Sequence, residues 1–209
     1  MIKNKKPKFK QEGFTLIEML VAMAIFSTII GIITGIFITG IRQQKMALDS
    51  QIVLNQTSYA LEYMGRALRL AKKEVSPPNC LSQSGLNYEI PVEYQIEGNE
   101  NLGTGLKFIN ILESDDNYKC QEFYLDSTSK QLKYKRGGNP PLDLTSNKLE
   151  ITSLKFDLVG KSQGDVLNPD NLQPRTTIFL EIKGKGTLEG SPKIKIQTSI
   201  SQRNLDVTY

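Results

Sequence analysis

The chain has 209 residues, with 26 Lys+Arg against 22 Asp+Glu, two cysteines, no histidine and no tryptophan. That length allows one or two folded units. The missing histidine excludes Ser-His and Cys-His nucleophile pairs and the usual histidine-bearing zinc sites, so the expectation is a non-enzyme with no cofactor and no metal. The formal charge of +4 resides in the first dozen residues. Taking Lys3, Lys5, Lys6, Lys8, Lys10 and Glu12 from the 26 bases and 22 acids leaves 21 of each. The remainder has no general grip on phosphate backbones, which needs clustered Lys/Arg; Arg66, Arg69, Lys72 and Lys73 form one local group.

In chain order, the basic leader runs into Gly13-Phe14, and from Met19 to Ile41 there are 23 residues without a charge. At about 1.5 Å per residue such a helix spans roughly 34 Å, enough for a hydrocarbon core of about 30 Å. The lysines in front should stay cytoplasmic, leaving the rest of the chain outside. One carboxylate, Glu18, stands just inside this segment. An acid well inside a bilayer costs about 2.5–3.5 kcal/mol on insertion scales, and a plain anchor has no use for it. The small residue Gly13 lies before the apolar segment, whereas a secretory signal carries its small-residue cleavage site after it. A cut after Gly13 would therefore leave the apolar helix on the mature chain. Thr28, Gly31, Thr34 and Gly35 repeat small residues at the spacing of close helix–helix contacts.

Gly13-Phe14-Thr15-Leu16-Ile17-Glu18 resembles the type III signal of the type IV pilin and pseudopilin superfamily, with every position of the motif filled. The resemblance implies cleavage between Gly13 and Phe14 by a membrane prepilin peptidase, which is also the methyltransferase, and N-methylation of Phe14. It implies filament assembly through Glu18, with other pilin or pseudopilin subunits and an inner-membrane assembly platform as partners. Many major pilins resemble this stretch but carry a proline where this chain has Gly31 and Gly35. In the filament a neighbour's Glu18 would face the new Phe14 amine; an intrachain contact one turn away is the local alternative.

Beyond the membrane, residues from Arg42 to Lys73 contain no proline and one glycine, Gly65. Leu48, Ile52, Tyr59, Ala60, Tyr63, Met64, Ala67, Leu68 and Ala71 recur at spacings near three and four, one helical face. A helix from about Phe14 to Lys73 is expected, ended by Val75-Ser76-Pro77-Pro78 because proline lacks the amide donor. Its apolar face is read as the contact with a head domain. The domains expected are a removed leader (1–13), a stem helix (14–75, crossing the membrane over about 16–41) and an extracytoplasmic head (76–209).

In the head, apolar residues alternate at Leu106-Phe108, Ile109-Ile111, Phe123-Leu125, Leu132-Tyr134, Leu154-Phe156-Leu158, Ile178-Leu180-Ile182 and Ile194-Ile196-Ile200. Such alternation indicates half-buried antiparallel strands. The fold class is thus α+β, a long helix packed on an antiparallel β-sheet head, which is the pilin fold. One sheet covered by the upper stem is expected. Residues Gln197 to Asn204 are similar to the final strand of J-type minor pseudopilins.

Cys80 and Cys120 face the oxidising side by this topology, and a disulfide between them is favoured over free thiols or an intermolecular bridge. In the loop-entropy model it stabilises by about 4 kcal/mol. Glu113, Asp115, Asp116 and Asn117, and again Asp165, Asn168, Asp170 and Asn171, have ligand types suited to calcium, which some pseudopilins bind. Neither group has an EF-hand pattern, and both are read as turn material. Lys133, Lys135 and Arg136 around Tyr134 could stack on single-stranded DNA; a solvated strand edge is the preferred reading. The function expected is a structural subunit of a type IV pilus-like or type II secretion pseudopilus filament, a minor one acting in initiation or at the tip. The rivals are a DNA-receptor pilin and a surface-anchored enzyme.

Overall fold

A computed structural model describes residues 13–75, 79–113, 119–162, 172–185 and 192–203. The leader, Pro77-Pro78, the acids Asp115 and Asp116 with Asn117, and the group from Asp165 to Asn171 lie outside the described residues. The chain divides into two compact units, Met1–Lys45 and Met46–Tyr209.

One helix, α1, runs Leu16–Arg69. Its described part within the first unit is exposed throughout, and it is long and apolar enough to cross a membrane. The hydroxyls in this stretch bond to the helix itself. Ser27, Thr34 and Thr39 donate to the carbonyls of Met23, Ile30 and Gly35 at 2.8–2.9 Å, and Thr28 donates to Ile25 at 2.7 Å. This removes the cost of unpaired polar groups in hydrocarbon.

In the second unit eleven strands are found among the described residues: β1 (Ala71–Lys72), β2 (Tyr88–Glu89), β3 (Gln95–Ile96), β4 (Asn99–Gly103), β5 (Gly105–Asn110), β6 (Cys120–Asp126), β7 (Gln131–Arg136), β8 (Leu142–Asp143), β9 (Leu149–Val159), β10 (Arg175–Gly184) and β11 (Lys193–Ser201). They form two antiparallel sheets where one was expected. The first has the order β1-β5-β6-β7-β8 with β2 also on β5; the second is β11-β10-β9-β4-β3. Along the described strands the chain passes between the sheets from β2 to β3, from β4 to β5 at Thr104, and from β8 to β9. Thr104 donates to the Tyr94 carbonyl at 2.8 Å and accepts from the Leu125 amide at 3.0 Å. Glycines on both sides permit this corner. A Cβ on Gly103 would stand 2.6 Å from the Tyr94 carbonyl oxygen, and one on Gly105 would enter the Tyr94 ring.

The two sheets and α1 share one apolar core. From the helix come Val53, Ala60, Met64, Ala67 and Leu68; Phe108, Phe123 and Leu132 come from the first sheet, and Leu154, Phe156, Ile178 and Ile182 from the second. Tyr63 of the helix meets Phe123 and Tyr134 edge-on, while Gly65 comes close to Ile200. The buried stripe is Val53, Thr57, Ala60, Met64, Ala67 and Leu68; it contains Ala60, Met64, Ala67 and Leu68 of the expected face, and Ala71 is buried as well. Leu48, Ile52 and Tyr59 are exposed, because the sheets approach one side of a wider apolar surface. The helix also stops earlier than expected. After Arg69 the chain turns into β1, which pairs Ala71 with Asn110. The carbonyls left over at a helix end find partners in the sheets: Leu68 accepts from the Tyr88 hydroxyl (2.8 Å), Arg69 from the Arg203 amide (2.8 Å) and Leu70 from the Ile111 amide (3.0 Å). Strand pairing, not proline, ends α1.

Leu68→Ala should destabilise the second unit by about 2–5 kcal/mol in denaturant unfolding, as a cavity in the core does. Leu48→Ala, on the exposed side, should change it by less than about 0.5 kcal/mol.

Candidate processing and assembly site

Gly13, Phe14 and Thr15 precede the helix and have no regular structure. Phe14 is 80% exposed. A Cβ on Gly13 would meet nothing within 4 Å, so packing in this chain sets no demand for glycine there. Thr15 and Glu18 form a reciprocal capping box. The Glu18 amide donates to the Thr15 hydroxyl oxygen, and the Glu18 carboxylate accepts from the Thr15 amide and hydroxyl, each at 3.3 Å. A carboxylate is favoured at this end by the helix dipole. The helix therefore starts just after Phe14, with the Gly13–Phe14 bond outside it. Within the single chain the partner of Glu18 is Thr15, a residue that the reading of the motif left without a role. Its signal in the sequence was the Thr-x-x-Glu spacing.

Residues 8–34 match the family model of the prokaryotic N-terminal methylation motif. The chain carries a type IV prepilin signal. With the long apolar helix behind it, the signal supports the pilin and pseudopilin class, whose members are structural and not enzymatic, and a membrane-anchored filament subunit. It implies processing by prepilin peptidase and assembly with other pilins. The α+β architecture is consistent with the pilin fold. No curated protein and no solved structure matches the chain, so the head rests on its own geometry.

Cys80 and Cys120 form a disulfide with Cα atoms 5.4 Å apart. Cys120 opens β6, and Cys80 follows β1, a two-residue strand with too short an alternation to be read from sequence.

The group on β7 does not make a stacking platform. Tyr134 is buried against Phe123 and Tyr63, with ring centroids 5.0 and 5.2 Å away. Lys133 stands between Asp143 and Asp126, and its pKa is raised chiefly by the Asp143 bond. Arg136 pairs with Glu113 at 2.6 Å. Lys135 lies in a cross-strand row Glu89–Lys107–Glu122–Lys135 of alternating sign. In the other basic group, Arg66 is tied to Glu62 four residues earlier. Among the described residues no three of His, Cys, Asp or Glu are placed to hold a metal ion.

On the second sheet, Thr152 bulges opposite Glu181 and donates to its carboxylate at 2.9 Å. Bonds from Lys193, Lys195 and Thr152 pull the Glu181 pKa from 4.5 to about 2. The folded value lies below the unfolded one, so this contribution to stability is full above about pH 4.5 and is lost as the pH falls towards 2. Glu181→Gln should flatten the pH dependence of the melting temperature across that window.

Proposed function

We propose that the chain is a minor subunit of a type IV pilus-like or type II secretion pseudopilus filament, acting in assembly initiation or at the tip. The observation that carries this reading is a complete prepilin signal with a carboxylate just inside the apolar helix. Prepilin peptidase cuts Gly13–Phe14, which lies clear of the helix, and methylates the Phe14 amine. The leader stays on the cytoplasmic side, residues 14–75 form the stem, and the head faces outward. In the filament Glu18 exchanges its capping bonds to Thr15 for the cationic amine of a neighbouring Phe14. Opposite charges in a low dielectric then set the axial register between stems. The similarity of Gln197 to Asn204 to the last strand of J-type minor pseudopilins supports the minor role.

The DNA-receptor reading has less support, since Lys133 and Arg136 of β7 are already engaged by carboxylates and Tyr134 is buried. Binding of single-stranded DNA that weakens steeply with salt would restore it.

Mass spectrometry of the protein from cells with active prepilin peptidase should find residues 14–209 with N-methylated Phe14; an intact Met1 there would sink the proposal. A bulky residue at position 13 should block cleavage.

Glu18→Ala should insert and be cleaved normally while its incorporation into filaments drops at least tenfold. Incorporation equal to wild type would leave Glu18 as a helix cap alone.

A further inference from the structure

Beside the main core lies a second, small apolar cluster of Leu81, Leu86 and Ile109, with Cys80 packed against it. Its polar centre is Glu74, which is 3% exposed. Burying a carboxylate is costly unless hydrogen bonds compensate it. Here three backbone amides do so: those of Cys80 and Leu81 donate to Oε2 at 2.8 Å each, and that of Val75 donates to Oε1 at 3.2 Å. The Glu74 backbone is fixed as well, donating to the Leu86 carbonyl at 2.8 Å and accepting from the Gly85 amide at 3.0 Å. One side chain thus holds the segment that carries Cys80 against β1, whose partner β5 pairs Ile109 with Cys120.

We propose that Glu74 is the positioning residue for the Cys80–Cys120 disulfide: its carboxylate places Cys80 next to Cys120 before any bond between the sulfurs exists. A cleft of about 400 Å3 opens beside both cysteines and is lined also by Lys72, Lys73 and Lys119. It gives a small disulfide oxidant a path to the thiols. The chemistry is ordinary exchange. One cysteine thiolate attacks the oxidant disulfide and expels a thiolate; the second cysteine thiolate attacks the mixed disulfide and expels the other. Two protons leave the protein thiols, which are oxidised as the oxidant is reduced to two thiols. Glu74 acts on the second step by holding the two cysteines at contact distance.

The test uses the full chain in detergent, with glutathione disulfide as the oxidant. After reduction, the Cys80 and Leu81 amides of the wild type should exchange with solvent within tenfold of their rate in the oxidised protein. In reduced Glu74→Gln they should exchange more than tenfold faster, since a neutral amide oxygen at the Oε2 position accepts the Cys80 and Leu81 N–H groups more weakly than a carboxylate does, and the NH2 group is left facing the Val75 amide. Ring closure of the mixed disulfide should slow at least tenfold in Glu74→Gln. Glu89→Gln should close within twofold of wild type, although the Glu89 carboxylate also accepts a loop amide, that of Ser82, at the surface. Loss of protection in the reduced wild type would mean that the disulfide holds the loop, overturning the proposal even if Glu74→Gln fails to fold. Ring closure at the wild-type rate in Glu74→Gln would overturn it too.

Discussion

Between Val53 and Leu68, α1 presents six buried side chains to two sheets at once, and the head depends on that contact. Each sheet has an apolar inner face, and sheets stay soluble only when such a face is covered. Met64 and Leu68 are fully buried, each removing apolar surface worth about 1.5–3 kcal/mol. Their neighbours Ala60 and Ala67 are small, which lets the helix axis come close enough for Tyr63 to reach the rings of Phe123 and Tyr134. The helix is therefore part of the head's core as well as its connection to the apolar segment.

The end of the helix is held as firmly as its face. Three successive carbonyls, Leu68 to Leu70, take donors from residues as distant as Tyr88, Ile111 and Arg203. Burial raises the Tyr88 pKa, so its hydroxyl stays protonated and remains a donor. A few residues on, Glu74 holds the segment that carries Cys80, and the disulfide fastens that segment to β6. Tension passed along such a stem would meet backbone bonds to both sheets, with a covalent link just behind them.

The charged surface follows a different logic. Two of the β7 cations that looked available in the sequence are paired, Lys133 with Asp143 and Arg136 with Glu113, and Lys183 pairs with Glu150 across β10 and β9. Exposed pairs of this kind contribute little stability individually. On β11, an edge strand, Lys193 and Lys195 share Glu181, and lysines on an edge discourage pairing with another chain.

By itself the sequence determined the prepilin signal, the apolar helix, the main strands β5 to β7 and β9 to β11, and the cysteine pair. These are local patterns: a six-residue motif, a charge-free run, period-two alternation, two cysteines in one compartment. Helical spacing also announced an apolar face on α1, but not which part of it would be covered; Leu48 and Tyr59 follow the same spacing as Met64 and Leu68, and only the position of the sheets separates them. The tightest crossing between the two sheets, from β4 to β5, turns on Thr104 between two glycines, a corner whose meaning depends on Tyr94 arriving from elsewhere in the chain. The helix end carries no local stop signal, because its last carbonyls are satisfied by strands distant in sequence. Glu74 read as one acid among many, and the tertiary structure alone made it a buried carboxylate, since the amides that compensate it converge only when the loop folds back on β1.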